Sequence, residues 1–225
     1  MSGFQNSALN EVYRDELFQR IEDSIVKACE LMVCDCIKEG CLLDNHEEKI
    51  RTYLVHNYLN NDDKKDDLGL NGIKIRFDIE ILEGYDTTAI NYAGRTDIRI
   101  VSDDWFKNRN AYYIVECKRL DGGNVLNTLY VKEGVQRFVG DLPKYSSFYN
   151  KNIMLGFCVK KHDIKNNVIK IENIHNHLIP ESIGNIRICR DTCRCKIYES
   201  VYSKPKALKL KHLFYDFADI IVQTL

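Results

Sequence analysis

Two runs of sequence decide the fold: Gly94-Arg95-Thr96-Asp97-Ile98-Arg99-Ile100-Val101 and, after a turn, Ala111-Tyr112-Tyr113-Ile114-Val115-Glu116-Cys117-Lys118-Arg119. The first reads as a strand over about Thr96 to Ser102, the second as a strand over Ala111 to Arg119. Successive side chains of a strand point to opposite faces. Ile114, Glu116 and Lys118 therefore share one side, and Tyr113, Val115 and Cys117 the other. An acid and an amine ending an otherwise apolar strand are costly to desolvate without partners. Charged groups in such positions often mark a site. Neighbouring strands lie roughly 5 Å apart, so if these two pair, Asp97 and Glu116 can share one cation.

Outward from this pair, the period of the apolar residues changes several times. Ser7 to Glu39 reads as one helix, with Phe18, Ile21, Ile25, Ala28 and Met32 in a stripe and Gly40 as its stop. A second helix is expected from Asp44 to Asn60, capped by Asp44 or Asn45, with Ile50, Leu54 and Tyr58 on one face. Asn60 to Gly72 is polar and reads as a loop. Alternation of Ile73, Ile75, Phe77, Ile79 and Ile81 with charged residues predicts the first strand. Beyond Gly122-Gly123, a helix is expected from Asn124 to Leu142, before Pro143. A buried strand over Asn152 to Lys160 and a helix from Ile164 to Leu178, stopped by Pro180, follow. Ile186 to Cys189 and Lys196 to Tyr202 read as short strands around a turn at Asp191, and Lys209 to Thr224 as a closing helix. The predicted fold class is α/β, with a mixed central sheet flanked by helices. We divide the chain into an N-terminal helical extension, 1–42, and a main domain, 43–225, within one compact unit.

Composition narrows the class. At 225 residues with 44% hydrophobic and 29% charged residues, the chain can build a sizeable core and is not a disordered polymer. No apolar run approaches the roughly 18 to 20 residues of a membrane span. The start, Met1 to Glu16, is polar and acidic and does not read as a signal peptide. A cytoplasmic protein with reduced thiols is expected. Nine cysteines are many, yet neither Cys34-x-Cys36-x4-Cys41 nor Cys189-x3-Cys193-x-Cys195 matches a paired zinc spacing. The six histidines form no metal spacing, His175-x-His177 coming nearest, and read as surface residues. Charge is uneven: residues 1–67 carry 8 Lys+Arg and 15 Asp+Glu (8 − 15 = −7), residues 160–212 carry 12 and 5 (12 − 5 = +7). The basic third can face a phosphate backbone, against the plainer reading of a solvated, lysine-rich surface, which the charge alone favours.

The acid cluster suits phosphodiester hydrolysis. The substrate is an anion that repels nucleophiles, and a hard cation prefers carboxylate and carbonyl oxygens. Such a cation lowers the pKa of bound water and polarises phosphorus, while a nearby ammonium offsets transition-state charge. Gly94-Arg95-Thr96-Asp97, followed after 18 residues by Glu116-Cys117-Lys118, resembles the PD-(D/E)XK, or restriction-endonuclease-like, nuclease superfamily. The order of elements from Asp44 to Lys160 resembles that family's core, and Thr96 stands where the family commonly has proline. The resemblance implies a metal-dependent endonuclease acting on DNA, with RNA left open, in a bacterial restriction or anti-phage setting. It implies Asp97, Glu116 and Lys118 as catalytic residues. Mg2+ or Mn2+ would be held by Asp97, Glu116 and the backbone carbonyl of Cys117.

Three accessory residues follow from the same resemblance. Glu47, on the inward face of the second helix, is a candidate outer metal ligand or water holder, against the plainer reading of a first-turn acid facing the helix dipole. Gln136 and Arg137 lie on the helix after the third strand, where Arg137 could clamp a phosphate. Two other readings compete. One is a catalytically silent module of this fold that binds nucleic acid or a partner; the other is a ligand-gated nuclease effector. A homodimer or partner subunit is consistent with double-strand cutting by single-site subunits.

Overall fold

A computed structural model of the chain describes residues 7–223, apart from residues 87, 89, 141, 142, 204 and 205. Seven strands form one mixed sheet in the order β1-β2-β3-β4-β7-β6-β5. They are β1 (Ile75–Asp86), β2 (Asn91–Ser102), β3 (Tyr112–Leu120), β4 (Lys151–Cys158), β5 (Arg187–Asp191), β6 (Cys195–Tyr202) and β7 (Leu208–Asp216). The three central strands β3, β4 and β7 are mutually parallel, and both flanks are antiparallel. Helices α1 (Ser7–Glu39), α2 (Glu47–Leu54), α3 (Asn124–Lys132) and α4 (Ile164–Leu178) complete the fold. Among the described residues no helix is long and apolar enough to cross a membrane.

Alternation on β3 divides the core in two. Tyr113, Val115 and Cys117 join a cluster with Ile21, Ile25 and Met32 of α1 and Ile50 and Leu54 of α2. Ile114 and Leu120 join a second cluster with Tyr130 and Val131 of α3 and Val168 and Ile171 of α4. The expected stripe of α1 is buried throughout, and the Phe18 ring lies 5.2 Å from that of Tyr113. Helix α1 thus packs directly on the sheet. Fully burying a side chain of this size stabilises by roughly 1.5–3 kcal/mol.

Four sequence expectations need correction. Leu208–Asp216 is a strand, not part of a closing helix, and pairs with both β4 and β6. Both faces of β7 are covered, so Leu213, Phe214 and Tyr215 are all buried and the alternation that announces a strand is erased. Thr224, the expected end of that helix, lies outside the described residues. The helix from Asn124 stops at Lys132 rather than Leu142, a residue also outside the description. At Gly134 an added Cβ would meet the Tyr130 carbonyl oxygen at 2.4 Å, and a turn through Val135–Arg137 follows. Helix α2 begins at Glu47 with His46 before it and no side-chain cap, then widens to π geometry over Val55–Leu59. Asp44 binds Lys49 and Asn45 binds Arg119 instead of capping. Finally, His175 and His212 are fully buried, not at the surface. His212 joins Tyr130 and Ser200 at 2.8 and 2.7 Å. Tyr202 receives a bond from Ser200 and meets His175 Nε2 at 2.6 Å.

Candidate active site

Strands β2 and β3 pair from Val101↔Tyr112 to Ile98↔Val115 and then separate. Asp97 and Glu116, the next residue along each strand, open this fork. Past it, β2 keeps only β1 as a neighbour and β3 keeps only β4. The backbone N–H groups of β3 that face the fork need other acceptors. Asp97 Oδ2 accepts from Cys117 N at 2.7 Å, and Glu47 Oε2 accepts from Arg119 N at 3.0 Å. The N-terminus of α2 thereby docks into the fork.

Four oxygens surround one ammonium. Lys118 Nζ donates to Cys117 O at 2.7 Å, Glu116 Oε1 at 2.8 Å and Glu47 Oε1 at 3.1 Å, with Asp97 Oδ2 at 3.8 Å. Glu116 is fully buried, and Asp97 and Lys118 are nearly so. Burial and the neighbouring Asp97 push the Glu116 carboxyl up to about 7, against the pull of Lys118 and Arg137. Burial disfavours the Lys118 charge, but Glu116, Asp97 and Glu47 outweigh it and hold the ammonium well above its ordinary value. Lys118 is therefore a fixed positive charge rather than a proton acceptor.

Of the predicted residues, Asp97, Glu116, Cys117, Lys118 and Glu47 come together, and Arg137 joins them. Arg137 Nη1 lies 3.1 Å from Glu116 Oε1 and donates to the Tyr145 hydroxyl at 2.7 Å. Gln136 does not join: it is exposed and donates to Leu178 O at 3.3 Å, because the turn at Gly134 directs it away.

Three participants were missed. Arg51, almost fully buried, binds Asp97 Oδ1 and Glu80. Its signal was the four-residue step from Glu47, which places both on one flank of α2. Glu80 takes a left-handed backbone, φ 57°, where the register of β1 sets it opposite Asp97, and also pairs with Arg95. Such a conformation costs a non-glycine residue about 1 kcal/mol. Tyr145, just past Pro143, donates to Glu116 Oε2 at 2.6 Å; no periodicity points to a loop tyrosine.

Glu47, Arg51, Asp97, Lys118 and Arg137 of this cluster line a cavity of about 290 Å³ that reaches Glu48, Arg95 and Lys144. The atoms facing Lys118 Nζ are all acceptor oxygens, from two strands and a helix, a set suited to a hard divalent cation and not to zinc. Among the described residues no three His, Cys, Asp or Glu side chains close into a ready-made metal cage, because Arg51, Lys118 and Arg137 already engage the acids. The Nε atoms of Arg51 and Arg137 are buried without a hydrogen-bond partner. All nine cysteines are free thiols. Comparison of the chain with protein-family models, with curated proteins and with solved structures returns no match in any of the three.

Proposed function

We propose that this chain is a metal-dependent endonuclease of the restriction-endonuclease-like kind, hydrolysing phosphodiester bonds of DNA at the β2–β3 fork. The observation that carries the reading is the convergence of Glu116, Asp97, Glu47 and the Cys117 carbonyl on the Lys118 ammonium beside a charged cavity. An ammonium in the centre of an oxygen cluster marks where a hard cation is favoured. Asp97, Glu116 and the Cys117 carbonyl would hold Mg2+ or Mn2+, which supplies Lewis acidity toward phosphorus and an acidified water.

The chain's own groups supply the rest. Lys118, charged at all working pH values, offsets the negative charge that develops on the phosphoryl oxygens. Arg137 stands beside Glu116 on the cavity wall, where its partly exposed guanidinium can bind a non-bridging oxygen. Tyr145 fixes the orientation of the Glu116 carboxylate. Glu47 holds Lys118 from the side opposite β2.

The test is cleavage of plasmid and of single-stranded oligonucleotides with Mg2+ or Mn2+, comparing wild type with Glu116→Gln, Asp97→Asn and Lys118→Met. Wild type is expected to cut, and each variant to lose about 100-fold or more, the scale of a lost transition-state stabiliser. Cleavage by all three at the wild-type rate would remove this site. A second reading is favoured by one observation: every acid of the fork is already neutralised by a protein cation. On that reading the cluster is a structural ion network in a silent binding module. DNA binding that persists in EDTA, without cleavage in either metal, would support it.

A further inference from the structure

A second cavity, of about 390 Å³, adjoins the fork and shares a wall with it. Tyr145 lines it while its hydroxyl reaches the buried Glu116, and Lys144 borders both cavities. Aromatic side chains of Tyr112, Phe138 and Tyr145 form its sides, the last two rings meeting edge-on at 5.0 Å. Glu83 of β1 also lines it, although that residue is only 4% exposed. Tyr112 and Ser146 neighbour the Glu83 carboxylate and favour its charged form, and the Tyr112 hydroxyl meets Ser146 Oγ at 3.2 Å. A carboxylate has about four lone-pair sites, so acceptor capacity remains. Burial raises its pKa, with Tyr112, Arg99 and Ser146 only partly opposing. Lys144 and Lys206 line the same cavity and are exposed. The phosphodiester chemistry above makes no use of Glu83.

A buried acceptor between aromatic walls, with ammonium groups at the edge, suits a flat ring that bears N–H groups and carries an anion. Nucleotides have this form. Every base has a π face to stack on aromatic side chains, and carboxylates accept from base amino groups. Guanine presents two N–H groups side by side, N1 and N2, matching the two oxygens of one carboxylate. Thymine offers one N–H flanked by carbonyl oxygens, which a carboxylate repels. The volume is within the roughly 300–1,000 Å³ of small-molecule sites.

We propose that the cavity around Glu83 binds a nucleobase, with preference for guanine, its phosphate lying toward Lys144. The base comes either from a free nucleotide or from a strand that turns one base out of its stack. Only the second source rests on the nuclease reading.

Calorimetric titration of the full chain with 5′-GMP and 5′-TMP tests the pocket without any cleavage. GMP is expected to bind at least tenfold more tightly than TMP. Glu83→Gln, which turns one acceptor into a donor, should abolish the difference, and Tyr112→Phe, which loosens Glu83 but keeps the ring, should reduce it. A melting temperature for each variant separates lost binding from lost fold. Equal affinity for GMP and TMP, or equal GMP affinity in wild type and a folded Glu83→Gln protein, overturns the proposal. Single-stranded oligonucleotides with one guanine or one thymine then distinguish the sources. A guanine preference that disappears in Glu83→Gln assigns the pocket to the strand; GMP binding without it assigns the pocket to a free nucleotide. Cleavage of DNA without GMP selectivity sinks the pocket and leaves the nuclease standing, and GMP selectivity without cleavage does the reverse.

Discussion

Replacing His212 by glutamine should change how stability depends on pH, and the size of that change follows from burial. His212 is fully enclosed between Tyr130, Ser200 and Phe214. Burial, and secondarily His175, lower its pKa from 6.5 to about 3. The native state thus keeps this imidazole neutral where the unfolded chain protonates it. Stability from His212 is fully present above pH 6.5 and is lost as pH falls toward 3, at up to about 1.36 kcal/mol per unit. By pH 5 the loss is about 2 kcal/mol.

Glu116 works in the opposite direction. Its native pKa of about 7 against an ordinary 4.5 means that the folded protein takes up this proton first. Native stability therefore gains from this group as pH falls from about 7 toward 4.5. The two contributions oppose each other in wild type. His212→Gln removes only the first, so the stability difference between wild type and variant should shrink by about 2 kcal/mol from pH 7.5 to 5. Urea unfolding at pH 7.5, 6 and 5 reads this difference directly. A difference that stays constant to within about 0.5 kcal/mol over that range would refute the buried, neutral histidine.

Three further outcomes are expected. Gly134→Ala should destabilise by about 2–3 kcal/mol, because the new methyl meets the Tyr130 carbonyl, which is backbone and cannot rotate aside; an unchanged melting temperature would contradict this. Arg51→Met should cost about 3 kcal/mol by leaving buried Asp97 without its guanidinium, and a double-mutant cycle with Asp97→Asn should recover more than about 1 kcal/mol. Additive effects would show that the two do not interact. In a thiol-labelling time course on native protein, exposed Cys34, Cys189 and Cys193 should react first, with buried Cys29, Cys117 and Cys158 waiting for unfolding; simultaneous labelling of all would mean that the core opens readily.

How much of this was legible depends on how local the signal is. The alternation of Ile114, Glu116 and Lys118 is a property of one strand, and it placed the acid and the amine on one face correctly. The stripe of α1 and the span of α4 from Ile164 to Leu178 were equally local. β7 was not legible, because a strand covered on both faces loses its period of two. The fork was not legible either, since the end of β2–β3 pairing is set by what α2 inserts there. Arg51 and Tyr145 serve the site through tertiary contacts, and a lone arginine or a loop tyrosine carries no pattern. The same holds for His212, whose neighbours on β7 favoured a closing helix until the strand pairing buried it.

The fork also explains why the acids serve structure and chemistry together. Where two strands part, one loses its row of acceptors, and β3 regains them from side chains: Asp97 for Cys117 N–H and Glu47 for Arg119 N–H. A carboxylate oxygen held by the backbone fixes the direction of its twin. The second oxygens of Asp97 and Glu47 face Arg51 and Lys118 with no freedom to turn away. Backbone satisfaction therefore preorganises the charges, which is the condition for electrostatic stabilisation without reorganisation at the moment of reaction. A pair of strands continuing side by side would satisfy the same N–H groups with carbonyls and leave no cavity. Separation of β2 from β3 is thus what turns two ordinary strand ends into a site, and the position of Asp97 and Glu116 at the first unpaired step follows from it.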